Sequence, residues 1–147
     1  LQQEARPEIR FETQLPDADV RLYCDAQQVA QALTNLLQNA VESVLERLKQ
    51  QEHGAVPGWV MVKLVETQDR CLIEVHDNGG GLPEPTERLT EPYVTMRRSG
   101  TGLGLAIVKK IMEEHGGSLT LRNRTVGGAC VALAFPVFRA VHGAAAE

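Results

Sequence analysis

Three glycines at alternate positions, in Gly100-Thr101-Gly102-Leu103-Gly104, run straight into the apolar helical run Leu105-Ala106-Ile107-Val108. Without Cβ atoms, such a stretch lets successive backbone N–H groups converge on an anion, and the following helix adds the positive end of its dipole. The chemistry would be the holding of a polyphosphate. The plainer alternative is a flexible loop capping an ordinary helix, and the glycines alone do not separate the two. Arg97 and Arg98 precede the stretch with forked donors suited to phosphate, although a solvated loop charge accounts for Arg98 as well.

Two further groups could share one ligand with that stretch. Asn35 and Asn39 sit one turn apart in a long helical pattern, with Glu42 three residues on, and the spacing predicts all three on one face, away from the apolar stripe. Asparagine is a poor helix former, so the pair invites a use: Mg²⁺ takes one or two protein oxygens when substrate phosphates and water supply the rest. A solvated polar face is the competing explanation. Asp77 ends a strand pattern immediately before Asn78-Gly79-Gly80-Gly81. An ionised carboxylate only accepts hydrogen bonds, so it suits the exocyclic amine of adenine and repels the carbonyl of guanine. Gly79 and Gly81 leave room for a flat ring, whereas a plain Asp-Asn-Gly turn needs no such room.

Other chemistries fail on spacing. No G-x-x-x-x-G-K-[ST] run is present, and Leu105 breaks the G-x-G-x-x-G fingerprint. His53, His76, His115 and His142 form no nucleophile or metal spacing and read as surface or turn residues. Cys24, Cys71 and Cys130 are odd in number and far apart, which predicts reduced thiols. The net charge of −4, from 15 basic and 19 acidic residues, argues against nucleic acid as the main partner. No apolar run approaches the roughly 18 residues that a membrane span needs.

The elements that must position these residues follow from periodicity. Alternation over 9–14 predicts a strand. Asp25, with Gln28 completing a capping box, starts a helix carrying Val29, Leu33, Leu36, Leu37, Ala40, Val44 and Leu48 and ending near Glu52-His53-Gly54. A hairpin follows over 59–66 and 71–76, then a loop-like stretch over 82–99. A second helix over about 103–115 is stopped by Gly116-Gly117, and strands at 119–123 and 130–135 are joined by a Gly127-Gly128 turn. One domain is expected, with its core at about 9–136 and a patternless tail at 137–147. Its class is α+β, with helices on one face of a mixed sheet. Because the chain begins at Leu1, it is expected to be a piece of a longer protein.

Taken in order, these pieces resemble the ATP-binding catalytic domain of sensor histidine kinases, within the wider superfamily of gyrase, Hsp90 and MutL ATPases. Asn35-Leu-Leu-Gln-Asn39-Ala resembles that family's N box and Asp77-Asn-Gly-Gly-Gly81 its first glycine box. Glu91-Pro-Tyr93-Val-Thr95 is similar to the F box, with Tyr for the usual Phe, and Gly100-Thr-Gly-Leu-Gly104-Leu to the second glycine box. The run through Lys110 and Glu114-His-Gly-Gly117 looks closest to nitrogen-regulation kinases of the NtrY/NtrB type.

The resemblance implies a two-layer α/β sandwich (the Bergerat ATP-binding fold) with a mixed, mostly antiparallel sheet. It implies ATP and Mg²⁺ as cofactors. Asn39 would ligate the metal, with Asn35 supporting it; Asp77 would read adenine, with Gly79 and Gly81 shaping its pocket. Tyr93 and Arg97 would border the nucleotide. The amides of Gly100, Thr101, Gly102, Leu103 and Gly104 would hold its phosphates, and the stretch 82–99 would be a mobile lid. Asp77 and the Gly102 amide would then bracket one ATP.

The implied partners are the protein's own upstream dimerisation helices, which carry the phosphoacceptor histidine missing here, and a response-regulator receiver domain. The domain would be cytoplasmic, and the resemblance leaves open a parent chain anchored in the inner membrane. Three departures stand out. Ala129-Cys130 occupies the place where the superfamily often has a Thr near adenine. Asn35 replaces the Glu base of hydrolysing relatives, which implies slow ATP hydrolysis. Glu42 stands where many sensor kinases carry a cation. An ATP-gated conformational ATPase, a nucleotide-sensing module without catalysis and a serine kinase of the same superfamily remain the alternatives.

Overall fold

The structure is a computed structural model and describes residues 9–50, 56–92 and 104–137. Helix α1 (Ala26–Gln50) opens at Asp25, whose Oδ1 accepts hydrogen bonds from the Gln27 and Gln28 N–H groups at 3.0 and 3.1 Å. The expected reciprocal bond from Gln28 is not what satisfies the Asp25 N–H. That donor goes to Nε2 of His115 at 3.0 Å, so the end of the second helix completes the cap of the first. Arg47 and Lys49 in the last turn suit the negative end of the helix dipole. Arg47 Nη2 also donates to the Val56 carbonyl at 2.8 Å, fixing the chain where it re-enters the sheet.

Strands β1 (Ile9–Gln14), β2 (Gly58–Glu66), β3 (Arg70–Asp77), β4 (Ser118–Asn123) and β5 (Ala129–Pro136) form one sheet in the order β1-β2-β3-β5-β4. β1 runs parallel to β2, and the other three pairings are antiparallel. Helix α2 (Gly104–Glu114) ends at Gly116, whose φ of +70° favours glycine. The Gly117 N–H then closes the turn on the Met112 carbonyl at 2.8 Å.

Both helices lie on one face. Ala32, Leu36, Ala40 and Val44 of α1 and Leu105, Val108 and Met112 of α2 pack on Val60, Val75, Leu133 and Phe135 of the sheet. Each fully buried aliphatic side chain contributes about 1.5–3 kcal/mol relative to exposure, so these stripes hold the two layers together. The layers are those of the expected α/β sandwich.

The stretch 82–99 departs from expectation over its first half. The Leu82 N–H donates to Asn123 Oδ1 at 2.6 Å, and Asn123 Nδ2 returns a bond to the Leu82 carbonyl at 3.0 Å. A short 3-10 helix, Thr86–Thr90, follows and buries Leu89 in the core. Thus 82–92 is tied to β4 and the core, and the rest of the expected lid, 93–99, lies outside the described residues. An isolated leucine among prolines carries no periodicity, and so gives no warning of this anchoring. His53, Gly54, His142 and the tail from 138 onward lie outside the described residues.

Candidate functional site

Between α1, the end of β3 and the start of α2 lies a cleft of about 500 Å³, within the size range of small-molecule sites. Leu36, Ala40, Val75, Leu105 and Val131 give it apolar walls. Asn39, Ser43, Glu46, Arg47 and Gln50 border it along one line of α1, recurring at helical spacing. The cleft exists because the Asp77-Asn-Gly-Gly-Gly81 turn leaves the sheet beneath this line.

Asp77 is 4% exposed and, with His76, is one of the two buried polar residues among those described. Its Oδ1 accepts the Gly79 N–H at 2.8 Å. Burial pushes its carboxyl above the ordinary carboxylate range, against the hydrogen bonds from the Gly79 and Ala129 backbones and the nearby Arg124 and His76 that pull it down. A buried carboxylate supported by backbone donors, lining an apolar cleft, is equipped to accept from a flat polar ligand.

The turn is held by residues that the spacing did not single out. Asn78 accepts the Trp59 N–H at 2.8 Å and donates to the Pro57 carbonyl at 2.9 Å, stitching the turn to the start of β2. Arg124 lies 4.6 Å over the Trp59 ring, fastening the turn after β4 to the same strand. Gly79 and Gly81 line the cleft, but the protein itself occupies the space their side chains would take. A Cβ on Gly79 would fall 2.2 Å from Ser43 Oγ, and Gly81 has a φ of +87° with Asn123 alongside.

The three polar residues of α1 separate. Asn39 is half-buried and faces the cleft. Asn35 instead directs its Nδ2 to the Gly104 carbonyl at 3.5 Å, joining α1 to the first residue of α2. Glu42 lies over the crest of the helix, beside a shallow groove with Thr34, Leu37, Gln38 and Val41. The expectation of one shared face fails because 60° of helix rotation is enough to cross from cleft to outer surface. Ala129 lines the cleft, while Cys130 beside it points through the other face of the sheet. Tyr93, Arg97, Arg98, Gly100, Thr101, Gly102 and Leu103 lie outside the described residues, and with them the span from Asp77 to the Gly102 amide.

A profile of the histidine kinase-, DNA gyrase B-, and HSP90-like ATPases matches residues 24–139. The chain belongs to this ATPase family. Nitrogen regulation protein NtrY of Azorhizobium caulinodans is 44% identical over 128 residues, which make up 86% of this chain and 16% of that protein. The chain therefore spans a small part of the curated relatives it matches. Among solved structures, the nucleotide-free catalytic domain of histidine kinase ThkA aligns with a TM-score of 0.72 at 29% identity, covering 87% of this chain and 80% of that one. A mycobacterial sensor histidine kinase, MprB, aligns with a TM-score of 0.72 at 25% identity, covering 89% and 85%.

The chain is thus a catalytic domain of the sensor histidine kinase type, and ATP is the substrate of such domains. In this kinase domain the cleft lies where α1, the Asp77 turn and α2 meet. Among the described residues, no helix is long and apolar enough to cross a membrane.

Proposed function

We propose that the cleft binds ATP with the adenine amine on Asp77 and the phosphates toward the N-terminus of α2. The domain then donates the γ-phosphoryl to a histidine on helices upstream in a dimeric parent chain, for relay to an aspartate of a response regulator. The observation that carries this reading is the buried, backbone-supported Asp77 carboxylate lining an apolar cleft. Backbone amides of Gly100, Thr101, Gly102, Leu103 and Gly104 hold the phosphates, with Tyr93 and Arg97 at the border. Asn35 steadies the start of α2 through Gly104.

Mg²⁺ fits the donor set, since Asn39 offers a hard amide oxygen on the cleft wall and phosphates supply others. Bound there, the ion would neutralise phosphate charge. Phosphoryl transfer needs chiefly positioning and charge stabilisation. The protein therefore acts by orienting base and phosphates, and the nucleophile comes from another domain. The relatives named for nitrogen regulation support a parent kinase in that kind of signalling, with this domain on the cytoplasmic side of an inner-membrane anchor.

The test mixes this chain with the parent's histidine-bearing helical domain and γ-labelled ATP. An acid-labile phosphoprotein that disappears when the acceptor histidine is replaced supports the reading. Acid-stable label, or brisk ATP hydrolysis by this chain with no protein labelling, contradicts it.

A further inference from the structure

The sheet face opposite the helices carries a second cluster of chemically capable side chains. Glu74 and His76 alternate along β3, and the register pairs His76 with Cys130 of β5. Glu74 Oε1 lies 2.9 Å from His76 Nε2, and Cys130 Sγ lies 3.5 Å from the same nitrogen. The three potential ligand atoms all fall within 4.8 Å of one another.

Convergence on one ring nitrogen decides what this cluster can be. A thiol–imidazole–carboxylate relay needs thiol and carboxylate on opposite nitrogens of the ring. Here both address Nε2, while Nδ1 is buried and has no hydrogen-bond partner among the described residues. The ring cannot pass a proton from one group to the other, so a catalytic triad does not fit. Ligands gathered around one point do fit. For Zn–S and Zn–N bonds of about 2.3 and 2.0–2.1 Å, a tetrahedral centre separates sulfur and nitrogen by about 3.5–3.6 Å. The observed 3.5 Å matches that separation. The carboxylate must open by about half an ångström to reach its tetrahedral distance. Glu74 has the room, with a side chain 18% exposed against 11% for His76.

We propose that Glu74, His76 and Cys130 form a site for a borderline-soft divalent cation of the Zn²⁺ class. The fourth position is left to water on the exposed side. Binding forms a metal–thiolate bond, and the Cys130 proton leaves to solvent. Burial pushes the Cys130 thiol up, with Arg122, its register partner, only partly opposing this, so it is the cation that must displace the proton. The site backs directly onto the nucleotide cleft, because the adjacent residues Asp77 and Ala129 face the other way.

The test is a titration of the reduced, nucleotide-free 147-residue chain with Zn²⁺ by calorimetry and with Co²⁺ by absorption. One ion per chain and a thiolate-to-cobalt charge-transfer band are expected. Cys130→Ser and His76→Gln should remove the band, whereas Cys24→Ser and Asp77→Asn should leave it. If the core variants fail to fold, Glu74→Gln at the exposed edge decides: at least a tenfold loss of Zn²⁺ affinity is expected, and unchanged affinity overturns the site. The proposal also falls if no band forms, if it survives Cys130→Ser, or if it is lost only with Cys24 or Asp77.

Discussion

The Gly79 N–H donates to Asp77 Oδ1 at 2.8 Å across a turn whose side-chain space is already filled by Ser43 of α1. The carboxylate is thereby held buried by its own backbone, at a cost to the fold that only a ligand's donor can turn to use.

Asp77→Asn should therefore separate binding from stability. It keeps an acceptor for Gly79 but removes the buried charge. Adenine-nucleotide affinity should fall by about 1–3 kcal/mol, the range for losing a charge-assisted hydrogen bond. The Tm of the nucleotide-free domain at neutral pH should change little, relief of the buried charge offsetting the loss of one acceptor oxygen for the Gly79 and Ala129 N–H groups. Calorimetric titration and thermal melts check both, and a large fall in Tm with normal affinity would reassign Asp77 to structure.

The raised Asp77 carboxyl also sets the sign of two pH effects. A folded-state pKa above the unfolded one contributes stability that is fully present below the unfolded value and is lost as pH rises through the folded value. Acidification through that window should thus relieve the free domain while weakening ATP binding, because the protonated group loses its acceptor-only character. Affinity measured against pH for the parent and for Asp77→Asn should show the acid decline in the parent alone.

The glycines divide by what surrounds them. Gly79→Ala meets Ser43, and Gly128→Ala combines a φ of +85° with a Cβ only 1.9 Å from the Asp77 carbonyl. Overpacking of this kind costs about 1–3 kcal/mol, with Gly128 the worse for its backbone strain. A Cβ on Gly80 meets nothing within 4 Å, so Gly80→Ala should stay within about 0.5 kcal/mol. Urea denaturation of the three variants tests this order.

The Asp25–His115 link should act on the fold and not on the ligand. Asp25→Ala should cost about 1 kcal/mol, as for other helix N-caps. His115→Ala, which takes the acceptor from the Asp25 backbone N–H, should cost about 0.5–1.5 kcal/mol on its own, and the double variant about the sum, since Asp25→Ala removes the side-chain cap but keeps that backbone donor. Nucleotide affinity should be unchanged in all three, and an unaltered Tm in His115→Ala would show that the contact is energetically idle.

Much of this was legible in the sequence because it is local. The α1 stripe, its Asp25 cap, the hairpin and the Gly116 stop each follow from spacing within one element. What escaped depends on which distant residues meet. His76 reads as a turn residue until β5 is laid beside β3 and brings Cys130 opposite it. Asn78 looks like turn filler until its amide is seen bridging to β2, and Leu89 like loop until the core closes over it. Glu42 was misgrouped because helical spacing limits a residue to an arc, and the cleft edge cuts through that arc. His115, unremarkable at its own helix end, finishes the cap of another helix 90 residues away.

The most direct measurement is a paired titration of ATP and GTP into the domain, each with and without Mg²⁺, repeated on Asn39→Ala. ATP should bind, GTP should bind at least tenfold more weakly, and Mg²⁺ should strengthen ATP binding in the parent but not in the Asn39 variant. Equal affinity for ATP and GTP, or a Mg²⁺ response untouched by Asn39→Ala, would contradict the assignment of this cleft.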